Sequence, residues 1–90
     1  IRFASKAEAR RYKELLILKA AGEIRGLTLQ PRYPIVINGI KVCSYYGDFE
    51  YFKKDSCFPT VEDVKGIRLP MFILKKKLMA AAFGIEITEV

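Results

Sequence analysis

"PIVINGIKVCSYYGDFEYF", Pro34 to Phe52, decides how this chain folds. Asn38-Gly39 near its start is the pair favoured by a two-residue type I′ turn, in which both central residues take positive φ. Apolar residues flank the pair on both sides, so Pro34 to Ile37 and Ile40 to Phe52 read as antiparallel strands, the second one long. Along the long strand the period of two puts Asp48 and Glu50 on one face and Phe49 and Tyr51 on the other. Acids on the covered strands of a small sheet are costly unless they are paired or bound to metal.

The flanking sequence supplies the rest of the fold. Ser5-Lys6-Ala7-Glu8 has the pattern of a capping box, and predicts a helix running to about Ala21 and stopping at Gly22. Ala9, Tyr12, Leu15 and Leu16 form its expected buried stripe, which Glu8 joins one turn before Tyr12, while Arg10, Arg11, Lys13 and Glu14 mostly point elsewhere. Leu27 to Tyr33 reads as a connector or short strand limited by Pro31 and Pro34, with Gln30 either bonding near the site or, as the favoured reading, ending a turn. After a turn at Lys53 to Ser56, Thr60 to Lys65 reads as a further strand. Pro70 can open a second helix, Met71 to Phe83, with Phe72, Leu74, Leu78, Met79 and Ala82 as candidate buried positions and Gly84 beyond its end. Ile85, Ile87 and Thr88 start a last strand. The expected order is α-β-β-β-α-β: one small α/β domain over residues 1–90, a mixed sheet flanked by two helices.

Composition narrows the chemistry. About half of the 90 residues are hydrophobic, enough for a single core. The longest apolar runs, such as Leu78 to Phe83, are too short to span a bilayer, and no stretch reads as a signal peptide. The two cysteines form no CxxC pair and suit a reduced cytoplasm. There is no histidine, which excludes Ser-His-Asp and Cys-His catalysis and HExxH metalloproteases. The net charge of +6 favours a polyanionic partner, above all nucleic acid.

"TVEDVKG", Thr60 to Gly66, then adds a second acidic strand. Asp63 and Lys65 share one face and Glu62 and Val64 the other, unless a bulge exchanges them. If the two acidic strands are neighbours, Asp48 lies close to Asp63 and Lys65. The plain reading of Asp63 and Lys65 is an exposed ion pair of little energetic weight. The plain reading of Glu8 is closure of the helix N-terminus. Together, however, Glu8, Asp48, Asp63 and Lys65 have the residue types that metal-assisted phosphodiester hydrolysis needs. Carboxylates hold a hard cation, and a lysine stabilises the charge that builds on phosphorus.

An acid followed by D-x-K on the next strand, within that element order, resembles the PD-(D/E)xK nuclease superfamily. "FASKAEARRYKELLIL" (Phe3 to Leu18), "LQPRY" (Leu29 to Tyr33), "YYGDFEY" (Tyr45 to Tyr51), "VEDVKG" (Val61 to Gly66) and "LKKKLMAAAFGIEI" (Leu74 to Ile87) resemble more closely a phage-associated family similar to small Holliday-junction resolvases. The resemblance implies a restriction-endonuclease-like core and Mg2+- or Mn2+-dependent cleavage of DNA, with branched phage DNA as substrate, in the cytoplasm of a bacterial host. It implies Asp48, Asp63 and Glu8 as metal ligands and Lys65 as catalytic lysine. Gly47 stands where the superfamily's name puts proline.

Arg10, Arg11, Lys75, Lys76 and Lys77 are the candidate contacts to the DNA backbone, against the plain alternative of solvated helix faces. Tyr45, Tyr46 and Tyr51 are expected to pack in the core or sheet rather than stack on bases. A symmetric junction as substrate implies a homodimer. The competing readings are a non-catalytic nucleic-acid-binding module and a phage structural or regulatory protein.

Overall fold

The computed structural model describes residues 3–64 and 67–90. It contains helix α1 (Lys6–Ala20), strands β1 (Ile24–Leu29), β2 (Arg32–Ile37), β3 (Ile40–Tyr46), β4 (Phe49–Lys53) and β5 (Pro59–Asp63), helix α2 (Pro70–Phe83), and strand β6 (Thr88–Glu89). The chain is an α/β domain with two helices and a mixed sheet, as expected. It has more strands than expected, and the difference is localised.

The caps follow from residue chemistry. Ser5 Oγ accepts from the Glu8 backbone N–H at 3.1 Å, satisfying one orphan donor of the first turn of α1. Gly22, just past the other end, takes φ 78°, and Gly84 caps α2 at φ 68°. Asn38 and Gly39 take φ 51° and 78°, the positive pair a type I′ turn requires, between the register partners Ile37 and Ile40.

The expected strand from Ile40 to Phe52 is divided at Gly47–Asp48. β1 pairs antiparallel with β4, and β2 with β3. Between these ladders, Gln30 N–H donates to the Asp48 carbonyl at 2.9 Å and Gly47 N–H to the Pro31 carbonyl at 3.1 Å. The two pairs therefore form one antiparallel ribbon with a corner in it. Beyond the corner β2 and β3 make a two-stranded sheet, while β4 enters a four-stranded sheet of order β1-β4-β5-β6. The expected connector from Leu27 to Tyr33 holds the end of β1, a turn with Gln30 at φ 51°, and the start of β2. β6 joins parallel to β5, with Asp63 opposite Glu89.

Alternation along β5 separates two cores. Val61 packs with Ile35, Tyr45, Phe72, Met79, Ile85 and Ile87 on the side of α2 and the β2–β3 hairpin. Leu15, Ile24, Phe49 and Tyr51 form the core on the side of α1. Ile85 and Ile87, expected in the last strand, pack just ahead of it.

Both helices are turned slightly from the expected orientation. In α1, Leu16 is exposed, and the inward stripe runs through Glu8, Arg11, Tyr12, Leu15 and Leu18. In α2, Phe72 and Met79 are buried as expected and Leu78 is half-buried, but Leu74 and Ala82 face solvent. This helix packs mainly against β2 and covers it with a narrow stripe. No helix among the described residues is long and apolar enough to cross a membrane.

Space is tight at Gly47, in the corner. A Cβ there would lie 3.0 Å from Val61 Cγ1 and 3.4 Å from both Pro31 Cγ and Tyr45 Cε2. All three neighbours are buried. Gly47→Ala is expected to lower stability by about 1–3 kcal/mol through overpacking, measured by urea denaturation; an unchanged midpoint would mean that the corner yields freely.

Candidate functional site

The corner brings Asp48 to the end of the four-stranded sheet. Phe49 is the register partner of Glu62, so Asp48 comes level with Asp63 one step further along the antiparallel pair. Asp48 N–H donates to the Glu62 carbonyl at 3.0 Å, and Val64 N–H donates to Asp48 Oδ2 at 2.7 Å. Asp48, just ahead of β4, is thus bonded to the end of β5 through both its backbone and its side chain. Asp63 is only 3% exposed, and its Oδ2 accepts from the Tyr45 hydroxyl at 2.5 Å.

The electrostatics register this crowding. Burial pushes the Asp48 carboxyl up to about 6; the negative charges of Asp63 and Glu8 push the same way, against the Val64 N–H, which lowers it. The Tyr45 phenol is also held well above its usual range, by burial first and then by its bond to Asp63. Glu8 is half-buried on the inward stripe of α1. Its backbone completes the cap with Ser5, but among the described residues its carboxylate accepts no hydrogen bond. It acts on Asp48 through its charge.

Glu62 has a different assignment from its neighbour. It is 1% exposed and faces α1, where Arg11 Nε and Nη2 clamp its two oxygens at 2.8 and 2.7 Å. The Tyr51 hydroxyl donates to the same carboxylate. The Tyr51 phenol is pushed up to about 12, by burial and then by Glu62. The alternation of β5 therefore sends Glu62 into an internal ion pair and Asp63 toward Asp48, with no bulge between them.

Arg11, expected to point away from the buried stripe and read as a DNA contact, is instead turned inward. Its guanidinium is occupied by Glu62 and, at 3.1 Å, by Glu14. The cause is the rotation of α1, which turns Arg11 inward. Lys76 likewise pairs with Glu89 at 2.7 Å, and Arg68 binds the other oxygen of that carboxylate at 2.8 Å. Glu89 is consequently held below the ordinary carboxylate range, chiefly by Lys76. Arg10 and Lys77 are exposed, and the half-buried Lys75 donates to the Ser44 carbonyl at 2.9 Å. Lys65, the expected catalytic lysine, lies outside the described residues.

Sequence reasoning missed that the strand acids are served by tyrosines. Tyr45 binds Asp63, Tyr51 binds Glu62, and Tyr33 donates to Glu50. Their interleaving in "YYGDFEY" was the available signal. Tyr45 and Tyr51 pack inside as expected, whereas Tyr46 is 60% exposed. A cleft of about 230 Å3 opens beside the acids, lined by Tyr45, Tyr46, Asp63, Met71, Phe72 and Lys75.

The donor set is entirely oxygen, which suits Mg2+ or Mn2+. Asp48 and Asp63 are adjacent, with Glu8 within electrostatic range. Among the described residues, no group of three or more such side chains already closes on one point.

Fold and site together define a small α/β domain with paired carboxylates at adjoining strand ends. The chain belongs to the family DUF1064, described as a protein of unknown function, whose family model matches residues 1–88. No curated protein and no solved structure matches it.

The pH dependence of stability tests the acidic pair. Because the folded state raises the Asp48 carboxyl from 3.8 to about 6, folding takes up a proton in that window, and this group's contribution to stability falls as pH rises through it. Asp48→Asn keeps an oxygen for Val64 N–H and removes the charge. In buffer with EDTA, the variant is expected to melt a few degrees above the native protein at neutral pH, with the gap closing in acid. Parallel pH profiles would show that Asp48 carries no such cost.

Proposed function

We propose that the chain is a metal-dependent endonuclease that hydrolyses phosphodiester bonds in DNA. The observation that carries this reading is the juxtaposition of Asp48 and Asp63 at the ends of β4 and β5, with Glu8 adding negative charge from α1. Asp48, half-buried beside the buried Asp63, is pushed above its ordinary range by burial first and then by its acidic neighbours, and a bound divalent cation would remove that cost. Asp48 and Asp63 would hold Mg2+ or Mn2+, with Glu8 beside them. When bound, the ion polarises a phosphoryl oxygen and lowers the pKa of a coordinated water.

The chain's own groups prepare the site. Val64 N–H and the Tyr45 hydroxyl each hold one oxygen of Asp48 and Asp63 respectively, which fixes how the remaining oxygens are presented. Lys75 is tethered through one of its three N–H donors, leaving others for a phosphate. The exposed Arg10 and Lys77 add to the positive field that attracts DNA. Lys65 takes the role of the charge-stabilising lysine by resemblance to the PD-(D/E)xK nucleases. The likeness to the phage-associated, resolvase-like family favours branched DNA in a bacterial cytoplasm. A symmetric junction would call for a homodimer with two symmetry-related sites.

One observation favours the second reading, a basic nucleic-acid-binding module with structural acids. Among the described residues no group of three acids closes on one point, and the most buried acid, Glu62, is engaged by Arg11 and Tyr51.

Cleavage of a labelled four-way DNA junction and of matched linear duplex, with Mg2+, Mn2+ or EDTA, separates the two. The nuclease reading expects metal-dependent cutting that falls by about a hundredfold or more in Asp48→Asn and Lys65→Ala while DNA binding persists. Binding without cutting under every metal condition would favour the module.

A further inference from the structure

The cleft beside Asp63 is not needed to explain the fold. It lies between the end of β3, the end of β5 and the first turns of α2. At about 230 Å3 it is smaller than the ~300–1,000 Å3 of typical drug-sized ligand pockets, which suits a single planar ring system. Its inner end is acidic, through Asp63, and one wall carries the half-buried Lys75. The Lys75 ammonium is held in place by the Ser44 carbonyl. Tyr46 and Met71, at 60% and 61% exposed, are its two most open lining residues. Among the described residues, the Tyr46 phenol makes no hydrogen bond and its ring makes no aromatic contact.

An exposed aromatic residue, a softer apolar neighbour and one positioned cation are the parts with which proteins hold a nucleotide of a single strand. The base stacks on the ring and the cation meets the phosphate. A base inside a duplex has both faces covered by its neighbours and cannot use such a platform. A splayed nucleotide can.

We propose that this cleft is a subsite for one unpaired nucleotide of a DNA strand, its base against Tyr46 and its phosphate on Lys75. The proposal rests on the nuclease reading for its purpose, since the subsite adjoins the acidic pair and would select DNA whose strands have separated. It does not depend on cleavage for its test.

The experiment is a titration in EDTA of a short single-stranded oligonucleotide carrying 2-aminopurine, alongside the same sequence as duplex. Native protein and Tyr46→Phe are expected to bind the single strand and quench the fluorophore. Tyr46→Ala should weaken binding by about tenfold and lose the quench. Lys75→Gln should keep the quench and reduce the salt dependence by about one ion. An oligonucleotide with an abasic position in place of the fluorophore should bind native protein and Tyr46→Ala alike. Tyr46→Ala that binds and quenches as native protein does, or no binding of single strands, overturns the subsite. Tyr46-dependent binding by a protein that cuts no DNA would sustain the subsite and remove the nuclease reading. Cutting without any Tyr46 effect would do the reverse.

Discussion

The structure depends on a corner held by two backbone hydrogen bonds, Gln30 to Asp48 and Gly47 to Pro31. They carry an antiparallel ladder through a bend that would otherwise leave peptide groups unpaired beside a buried core. On one side of the bend β2 and β3 pack with α2; on the other, β1 and β4 pack with α1. The bend favours a residue without a side chain at position 47, because Val61, Pro31 and Tyr45 crowd the place a Cβ would take, at 3.0–3.4 Å. It also decides where Asp48 goes. In a straight strand Asp48 would be one mid-sheet acid among several. At the corner it lies at a strand end, with its backbone bonded to Glu62 and its carboxylate to Val64.

The acids of the central strands show how burial sorts chemistry. Glu62, at 1% exposure, has two arginine nitrogens and a tyrosine hydroxyl, which together satisfy most of its acceptor capacity. That is a structural carboxylate: removing Arg11 would strand a buried charge. Asp48 is different. Its carboxylate accepts from the Val64 backbone N–H, and burial first, then the charges of Asp63 and Glu8, raise it rather than lower it. Two carboxylates separated by one peptide bond, Glu62 and Asp63, thus belong to opposite faces of the sheet and to different kinds of environment.

Features that depend on neighbours in the chain were legible in the sequence. Ser5, Gly22, the Asn38-Gly39 turn and Gly84 act through local backbone geometry, and strand alternation alone separated Asp63 from Glu62. The corner was not legible. A glycine inside a strand pattern signals a bend or a close approach without saying which, and the atoms that crowd a Cβ at Gly47 come from β3, β5 and the connection between β1 and β2. Arg11 was misjudged because a small rotation of α1 decides whether that position meets solvent or Glu62. Rotation also exposed Leu16, and the narrow contact of α2 exposed Leu74. The tyrosine–carboxylate pairs required the register between strands, which composition does not contain. The family match, DUF1064 over residues 1–88, covers nearly the whole chain without adding a chemistry to it.

The central claim is that Asp48 and Asp63 form one oxygen-donor site. Titrating the protein into Mn2+ at neutral pH, and following the free-ion signal by electron paramagnetic resonance, tests it most directly. The account predicts that native protein depletes the free Mn2+ signal through a site that Asp48→Asn and Asp63→Asn each abolish, while Glu62→Gln, if folded, retains it. Equal depletion by native protein and by both aspartate variants would contradict the account, and would leave these acids as parts of the fold alone.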